Sequence, residues 1–247
     1  MASTTSPLRP GHGGSPSIET PDYWWYQART ALLEQALGPF VPAGGQVLDV
    51  GSADGPSAQW FRAQASTAVA LDIDSRGLTG DGVCGSGLAL PFADGSFDAL
   101  AAFDVIEHCE PESVVLREMH RVLRPGGVIA VSVPAYQWAW TEFDVANGHH
   151  RRYTKERLID AVTAAGFVVD RSTYAFTSVF PMFTAERLFR RVRDRGRTTS
   201  AVDIVQVPQL PRPLHHTLLG LCRIDQRLIG SRDLPFGSSI FLAAHRR

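Results

Sequence analysis

The chain has 247 residues, with 24 lysines and arginines against 25 aspartates and glutamates, a net charge of −1. That length sets a bound of one large domain, or one domain with an appendage, and the near-neutral balance excludes a nucleic-acid binder that works by bulk charge. The longest apolar stretches, such as Val128–Val133, fall far short of the roughly 20 residues that span a bilayer, and Cys84, Cys109 and Cys222 are too few and scattered for a disulfide scaffold or a structural zinc site, which favours a reducing, cytoplasmic compartment.

Residues 1–17 are Pro, Gly, Ser and Thr with almost nothing apolar, so a disordered tail without the apolar stretch of a signal peptide is expected. A helical pattern follows Tyr23-Trp24-Trp25-Tyr26 through Leu32, Leu33, Ala36 and Leu37, and Pro39 and Pro42 end it. Gln46–Val50 reads as the first strand, then a Gly-rich turn, then a helix from Pro56 to about Ala65. Thr67–Leu71, Asp81–Cys84 and Phe97–Phe103 read as the next three strands. Pro111 opens a helix at its favoured first position, with Val115, Met119, Val122 and Leu123 on one face and Gly126-Gly127 as its end. Val128–Val133 is the fifth strand. Thr154 caps a helix carrying Leu158, Ile159, Val162 and Ala165, which Gly166 stops; Phe167–Tyr174 is the sixth strand and Ser239–Ala244 the last.

Continuous apolar strands separated by helices predict an α/β fold: a Rossmann-like, doubly wound, seven-stranded and mostly parallel sheet buried on both faces. Two excursions interrupt the alternation, a polar and aromatic insertion at 134–153 and the long stretch 175–237. The division expected is a main domain over 18–174 and 238–247, with 175–237 as a helical insertion or lid.

The strongest chemical signal is Val47-Leu48-Asp49-Val50-Gly51-Ser52-Ala53-Asp54-Gly55, a strand running into small residues with Pro56 opening a helix. Small residues let the backbone approach a ligand, and the helix N-terminus offers unpaired N–H groups to an anion. The dinucleotide fingerprint would need glycine at 53 and 56, where Ala53 and Pro56 stand. Asp49, at the strand end, suits a cation or an ammonium. Asp72, in Ala70-Leu71-Asp72-Ile73-Asp74, ends the second strand where ribose hydroxyls are received. An ammonium, a carboxylate and a ribose together describe S-adenosylmethionine.

The order of VLDVGSADG (47–55), ALDID (70–74), LPFADGSFDAL (90–100), DVIEHCEP (104–111) and REMHRVLRPGGVIAVSVPA (117–135) resembles the class I S-adenosylmethionine-dependent methyltransferases with an LPF…SFD…EH signature. The resemblance implies a cofactor pocket of Asp49, Gly51, Ser52, Ala53, Gly55, Asp72, Ile73, Phe103 and Asp104, with Ser86 as the nearest match to the acidic residue that meets the adenine amino group. The sequence departs from the family in carrying Ala53 at the middle of the usual G-x-G-x-G turn. S-adenosylhomocysteine would be the product.

A hydroxyl acceptor needs a base, and histidine is the usual candidate. His108, His149 and His150 lie where an acceptor would sit, and Asp144 could orient one imidazole. Tyr136, Trp138, Arg151, Arg152 and Tyr153 are the candidate acceptor-binding residues. No metal is expected to be required; Asp104, Glu107 and His108 would be the ligands of a divalent cation if one bound. Trp24-Trp25-Tyr26…Arg29, the HHRRYT stretch and LPFGSSI (234–240) together look like a subgroup of bacterial methyltransferases associated with cell-envelope glycans and lipid-linked sugars. That resemblance implies O-methylation of a sugar, polysaccharide or lipid-linked glycan. The basic amphipathic pattern over 180–197 could touch an anionic membrane face or a lipid tail, peripherally and on the inner side. The alternatives are N- or C-methylation of another small molecule, a non-catalytic cofactor-binding module, and an NAD-dependent oxidoreductase.

Overall fold

The computed structural model describes residues 20–51, 58–75, 78, 80, 82–193 and 210–247. The expected tail at 1–17, the turn residues Ser52, Ala53 and Gly55, and the helix start at Pro56 lie outside the described residues.

Seven strands form one sheet: β1 (Gln46–Val50), β2 (Thr67–Asp72), β3 (Val83–Cys84), β4 (Phe97–Phe103), β5 (Leu123–Pro134), β6 (Phe167–Ala175) and β7 (Ser239–Arg246). Their order is β3-β2-β1-β4-β5-β7-β6. β1 pairs in parallel with both β2 and β4, so the strand order reverses at β1. β7 is antiparallel to both β5 and β6, which leaves β6 running the same way as β5. A doubly wound dinucleotide sheet of order 3-2-1-4-5-6 has no such reversed strand between its fifth and sixth.

Among the described residues, seven helices flank the sheet: α1 (Trp24–Leu37), α2 (Gln59–Ala63), α3 (Glu112–Val122), α4 (Glu142–Ala146), α5 (Lys155–Ala164), α6 (Phe180–Arg193) and α7 (Arg212–Ile229). The apolar stripes read from sequence are the faces buried on the sheet. Leu32, Leu33 and Leu37 of α1, Val115, Leu116 and Met119 of α3, and Leu158 and Val162 of α5 are fully shielded, as are Leu48, Leu100, Ile129 and Phe241 of the strands between them. Thr154 caps α5 as expected, its side chain accepting from Arg157 N.

One boundary differs. Gly126-Gly127 does not end α3, which stops at Val122. Leu123 already pairs with Phe97, and pairing then jumps to Val128 opposite Ala99. Residues 124–127 bulge out of the ladder, with Gly126 at φ 80°, so the glycines serve a strand bulge instead of a helix cap.

The stretch expected as a lid supplies α6 and α7. α7 packs along α1, and α6 leans on the insertion through Arg187, which donates to Thr141 Oγ1 at 2.6 Å and lies over the rings of Phe143 and Phe183.

The carboxyl ends of β1, β4, β5 and β6 share one edge of the sheet. Gly51, Asp104, Tyr136 and Phe176, which follow those ends, have φ of 73°, 58°, 62° and 66°. For the three non-glycine residues that backbone costs on the order of 1–3 kcal/mol each. The strained residues lie along the carboxyl edge of the parallel strands, the edge at which open α/β sheets receive ligands.

Candidate active site

The site is built from two halves of that edge. On the β1–β2–β4 half, Asp49 is almost fully buried, with Arg62 Nε 3.5 Å from its carboxylate. Gly51 turns the chain tightly: its N–H donates to Leu71 O, and a Cβ there would stand 2.5 Å from Val105 Cγ2. Asp72 is half-buried and its Oδ1 accepts from Asp74 N at 2.8 Å. Ile73 beside it is 76% exposed, a bare apolar side chain at the sheet edge. Ser86 Oγ accepts from Leu88 N at 3.2 Å. Phe103 stacks on Trp60 at 6.2 Å. Asp104 accepts from Ser132 Oγ at 2.9 Å and pairs with the buried Arg29 at 2.9 Å. Arg29 belongs to the Trp24-Trp25-Tyr26…Arg29 motif, but its place beside Asp104 is not disclosed by the sequence.

On the other half, the insertion after β5 brings its polar residues back over β4. Thr141 and Asp144 form a capping box at the start of α4. Asp144 is fully buried; its Oδ1 lies 2.9 Å from His149 Nδ1 and accepts from Arg152 Nε at 2.8 Å. Burial alone would raise the Asp144 pKa, but His149, Arg152 and the Thr141 amide outweigh it and hold it below the usual carboxylate range. His108 and His149 meet edge to face, ring centres 4.6 Å apart. Desolvation, then the adjacent His149, pushes His108 down to about 4, so its imidazole is neutral at neutral pH. Glu107 is completely buried and its carboxylate accepts no hydrogen bond from another residue. Burial, and then the charge of Asp104, raises its pKa well above the usual carboxylate range.

His150 is exposed, its backbone N–H on Glu107 O at 2.8 Å; it lines an open cavity of about 570 Å³ with Glu110, Gln137 and Arg157. Tyr136 and Trp138 stack at 5.8 Å and meet Phe180 of α6, which also touches Phe236. Trp138 and Phe236 are each 41% exposed, so this aromatic shelf is open on one side.

Three expected acceptor-binding residues are turned inward. Arg151 donates to Cys109 O at 2.6 Å and pairs with Glu110. Arg152 is held by Asp144 and the Ala135 carbonyl. Tyr153 is fully buried with its hydroxyl on Glu112 Oε2 at 2.6 Å. A buried guanidinium or phenol needs such partners; Arg152 and Tyr153 pin the insertion down, while Arg151, also tied there, lines the open cavity beside His150. Asp104 likewise does not join the cation-binding trio expected with Glu107 and His108, because Arg29 and Ser132 hold it; His149 stands there instead.

Residues 48–131 match the methyltransferase domain family. Over 113 residues the chain is 37% identical to an uncharacterized methyltransferase of Mycobacterium sp. (strain KMS), covering 42% of this chain and 45% of the relative. Over 180 residues it is 32% identical to a probable S-adenosylmethionine-dependent methyltransferase of Mycobacterium tuberculosis (strain CDC 1551 / Oshkosh), covering 68% and 65%. The chain thus spans about half to two-thirds of these relatives' lengths. Its fold is similar to the crystal structure of the [4+2]-cyclase SpnF, with a TM-score of 0.56 and 21% identity over 90% of this chain and 82% of that one. Fold, strand order and sequence match agree: over residues 48–131 the chain is similar to methyltransferase domains, on a sheet of order β3-β2-β1-β4-β5-β7-β6.

Proposed function

We propose that the protein transfers the methyl group of S-adenosylmethionine to a hydroxyl oxygen of a sugar-containing acceptor. The observation that carries this reading is the Asp144–His149 pair, 2.9 Å apart at the ligand-receiving edge of the sheet. A carboxylate on Nδ1 fixes the ring and leaves Nε2 as its remaining nitrogen, the arrangement that hydroxyl activation needs.

The residues along β1, β2 and β4 fit the cofactor. Asp72 beside the bare Ile73 offers a carboxylate for ribose hydroxyls and an apolar face for adenine. The tight Gly51 turn leaves room for the methionine part, and Asp49, Phe103 and Asp104 supply negative charge and an aromatic wall for its cationic end. Ser86 is near enough in sequence to serve the adenine edge. Bound there, the cofactor supplies an already activated methyl group. The chain's own task is to align the acceptor, exclude water and take up one proton. The acceptor oxygen forms a bond to the methyl carbon, the C–S bond breaks with its electron pair on sulfur, and the products are a methyl ether, S-adenosylhomocysteine and one proton.

The sugar assignment rests on the aromatic shelf, since the C–H face of a pyranose packs on an aromatic face while its hydroxyls reach outward to groups such as His150. On α6, Met182, Leu188 and Phe189 are exposed beside Arg190, which supports a lipid-linked form of that acceptor and a covering role for α6. No described helix is long and apolar enough to cross a membrane.

The test is calorimetric titration with S-adenosylhomocysteine, followed by turnover with labelled cofactor on sugar and lipid-linked sugar acceptors. Micromolar binding weakened at least tenfold by Asp72→Ala is expected. His149→Ala should lower kcat by ~10²–10⁴-fold, the usual contribution of a general base, at unchanged product affinity. A His149→Ala rate near wild type would point to an amine or carbon acceptor.

A further inference from the structure

We propose that Glu107, His108 and His149 form a binding site for one divalent transition-metal ion, with Asp144 as the group that orients His149. One ligand atom from each of the three side chains lies within 4.8 Å of those of the other two. Two imidazoles and one carboxylate converging with open positions is the donor set that zinc, iron(II), cobalt(II) and manganese(II) share.

A second observation points to a ligand at this place. The Glu107 carboxylate is 0% exposed, yet neither oxygen accepts a hydrogen bond from another residue. A buried carboxylate without a partner carries a large desolvation cost. The imidazoles of His108 and His149 stand beside it, and a cation between the three would supply a counter-charge. The surroundings have the form of an outer shell. Asp144 Oδ1 holds His149 Nδ1 at 2.9 Å, while Asp144 is itself fixed by Arg152 and the Thr141 amide. Metal-ligating histidines commonly use their second nitrogen on a carboxylate in this way. The backbone tie from His150 N to Glu107 O at 2.8 Å locks the insertion onto the segment carrying the other two ligands.

The three ligands come from two places in the chain. Glu107 and His108 sit in the 3-10 turn Ile106–His108 after β4, and His149 sits at the end of the insertion. The site therefore exists only when the insertion is docked. Three protein ligands leave room for an acceptor oxygen. A cation there would favour the ionised form of a hydroxyl, with its proton released to solvent, and would take the place of the bare His149 ring as the activating group. That role in turnover rests on the hydroxyl-acceptor reading above; the binding itself does not.

The test is titration of the chelator-treated, full-length protein with Zn²⁺ and with Mn²⁺, without cofactor or acceptor. One equivalent bound with micromolar or tighter affinity is expected for at least one ion. Glu107→Gln, which keeps shape and removes charge, should weaken it at least tenfold. His215→Ala/His216→Ala, which removes a histidine pair of α7, one half-buried and one exposed, should leave it unchanged. Absence of stoichiometric binding by the folded protein would overturn the proposal, as would wild-type affinity in Glu107→Gln or loss of binding with the His215/His216 pair. If binding fails while sugar hydroxyls are still methylated, the acceptor reading stands with His149 as base. If binding succeeds while no hydroxyl acceptor turns over, the metal site stands and the acceptor reading falls.

Discussion

Glu107 is the side chain whose environment most opposes its chemistry. Sequence reading notes it as a candidate ligand, because carboxylate and imidazole stand side by side, but cannot show that it is sealed from water without a protein partner. Its raised pKa has a definite consequence for stability. Between the unfolded value of about 4.3 and the raised folded value, the folded chain holds a proton that the unfolded chain releases, so stability falls as pH rises through that window. Glu107→Gln removes the cost. In the presence of chelator the variant is expected to be more stable than wild type at pH 8 by about 1–3 kcal/mol, raising its midpoint of thermal unfolding by roughly 2–12 °C, the scale of one unsatisfied buried polar group. The gap should close as pH drops towards the ordinary carboxylate range. A gap that is the same at pH 8 and pH 4.5 would show that the carboxylate's charge is not the cause.

Elements were legible where a single period governs them. Six of the seven strands are found within two residues of their expected ends, because short apolar runs flanked by Gly, Pro and polar residues are too short for helices. β5 is the exception: Arg124-Pro125-Gly126-Gly127 carries helix-stopping residues, and nothing local tells a helix end from a bulge that continues a strand. The insertion was legible as a cluster of donors but not in its facing. Its Arg-Arg-Tyr run looks like a ligand surface in sequence, and it is buried because Asp144 of the same insertion, and Glu110 and Glu112 from the segment after β4, hold it. Open to solvent are the cavity beside His150 and the aromatic shelf of Tyr136, Trp138, Phe180 and Phe236. Trp138→Ala should raise the acceptor KM at least tenfold while S-adenosylhomocysteine affinity stays within twofold. A matching rise in the product's dissociation constant would place Trp138 at the cofactor instead. Thr154→Ala is the contrasting change, expected to lower stability by ~1 kcal/mol through loss of the α5 cap, with both affinities preserved; a change in either would mean that the cap also positions the insertion.

The whole molecule is closed by the part of the sequence that was hardest to read. Residues 175–237 present no strand periodicity, so the sequence alone predicts a helical insertion or lid ahead of the last strand. Among the described residues α7 packs along α1, and the chain continues into β7 between β5 and β6. Asp225 of α7, nearly fully buried, accepts from the N–H and hydroxyl of Ser178 ahead of α6. Arg171 of β6 makes the second tie. It donates to Ala36 O at 2.9 Å, to Ile229 O and to Arg232 O, and pairs with Asp233 at 2.9 Å. Ala36 and Ile229 stand in the last turns of α1 and α7, where carbonyls have no partner within their own helix. One guanidinium therefore satisfies two helix ends and fixes both to the sheet. A hydrogen bond from a charged donor contributes about 1.5–3 kcal/mol, so Arg171→Ala is expected to cost about 2–4 kcal/mol in total and to lower the midpoint of a single unfolding transition. Calorimetry distinguishes two architectures. One cooperative transition, shifted down, means that α7 and β7 belong to the same folding unit as the sheet. Two transitions in the variant, the first accompanied by loss of helical signal alone, would mean that the 175–237 stretch is a separate layer that Arg171 merely fastens.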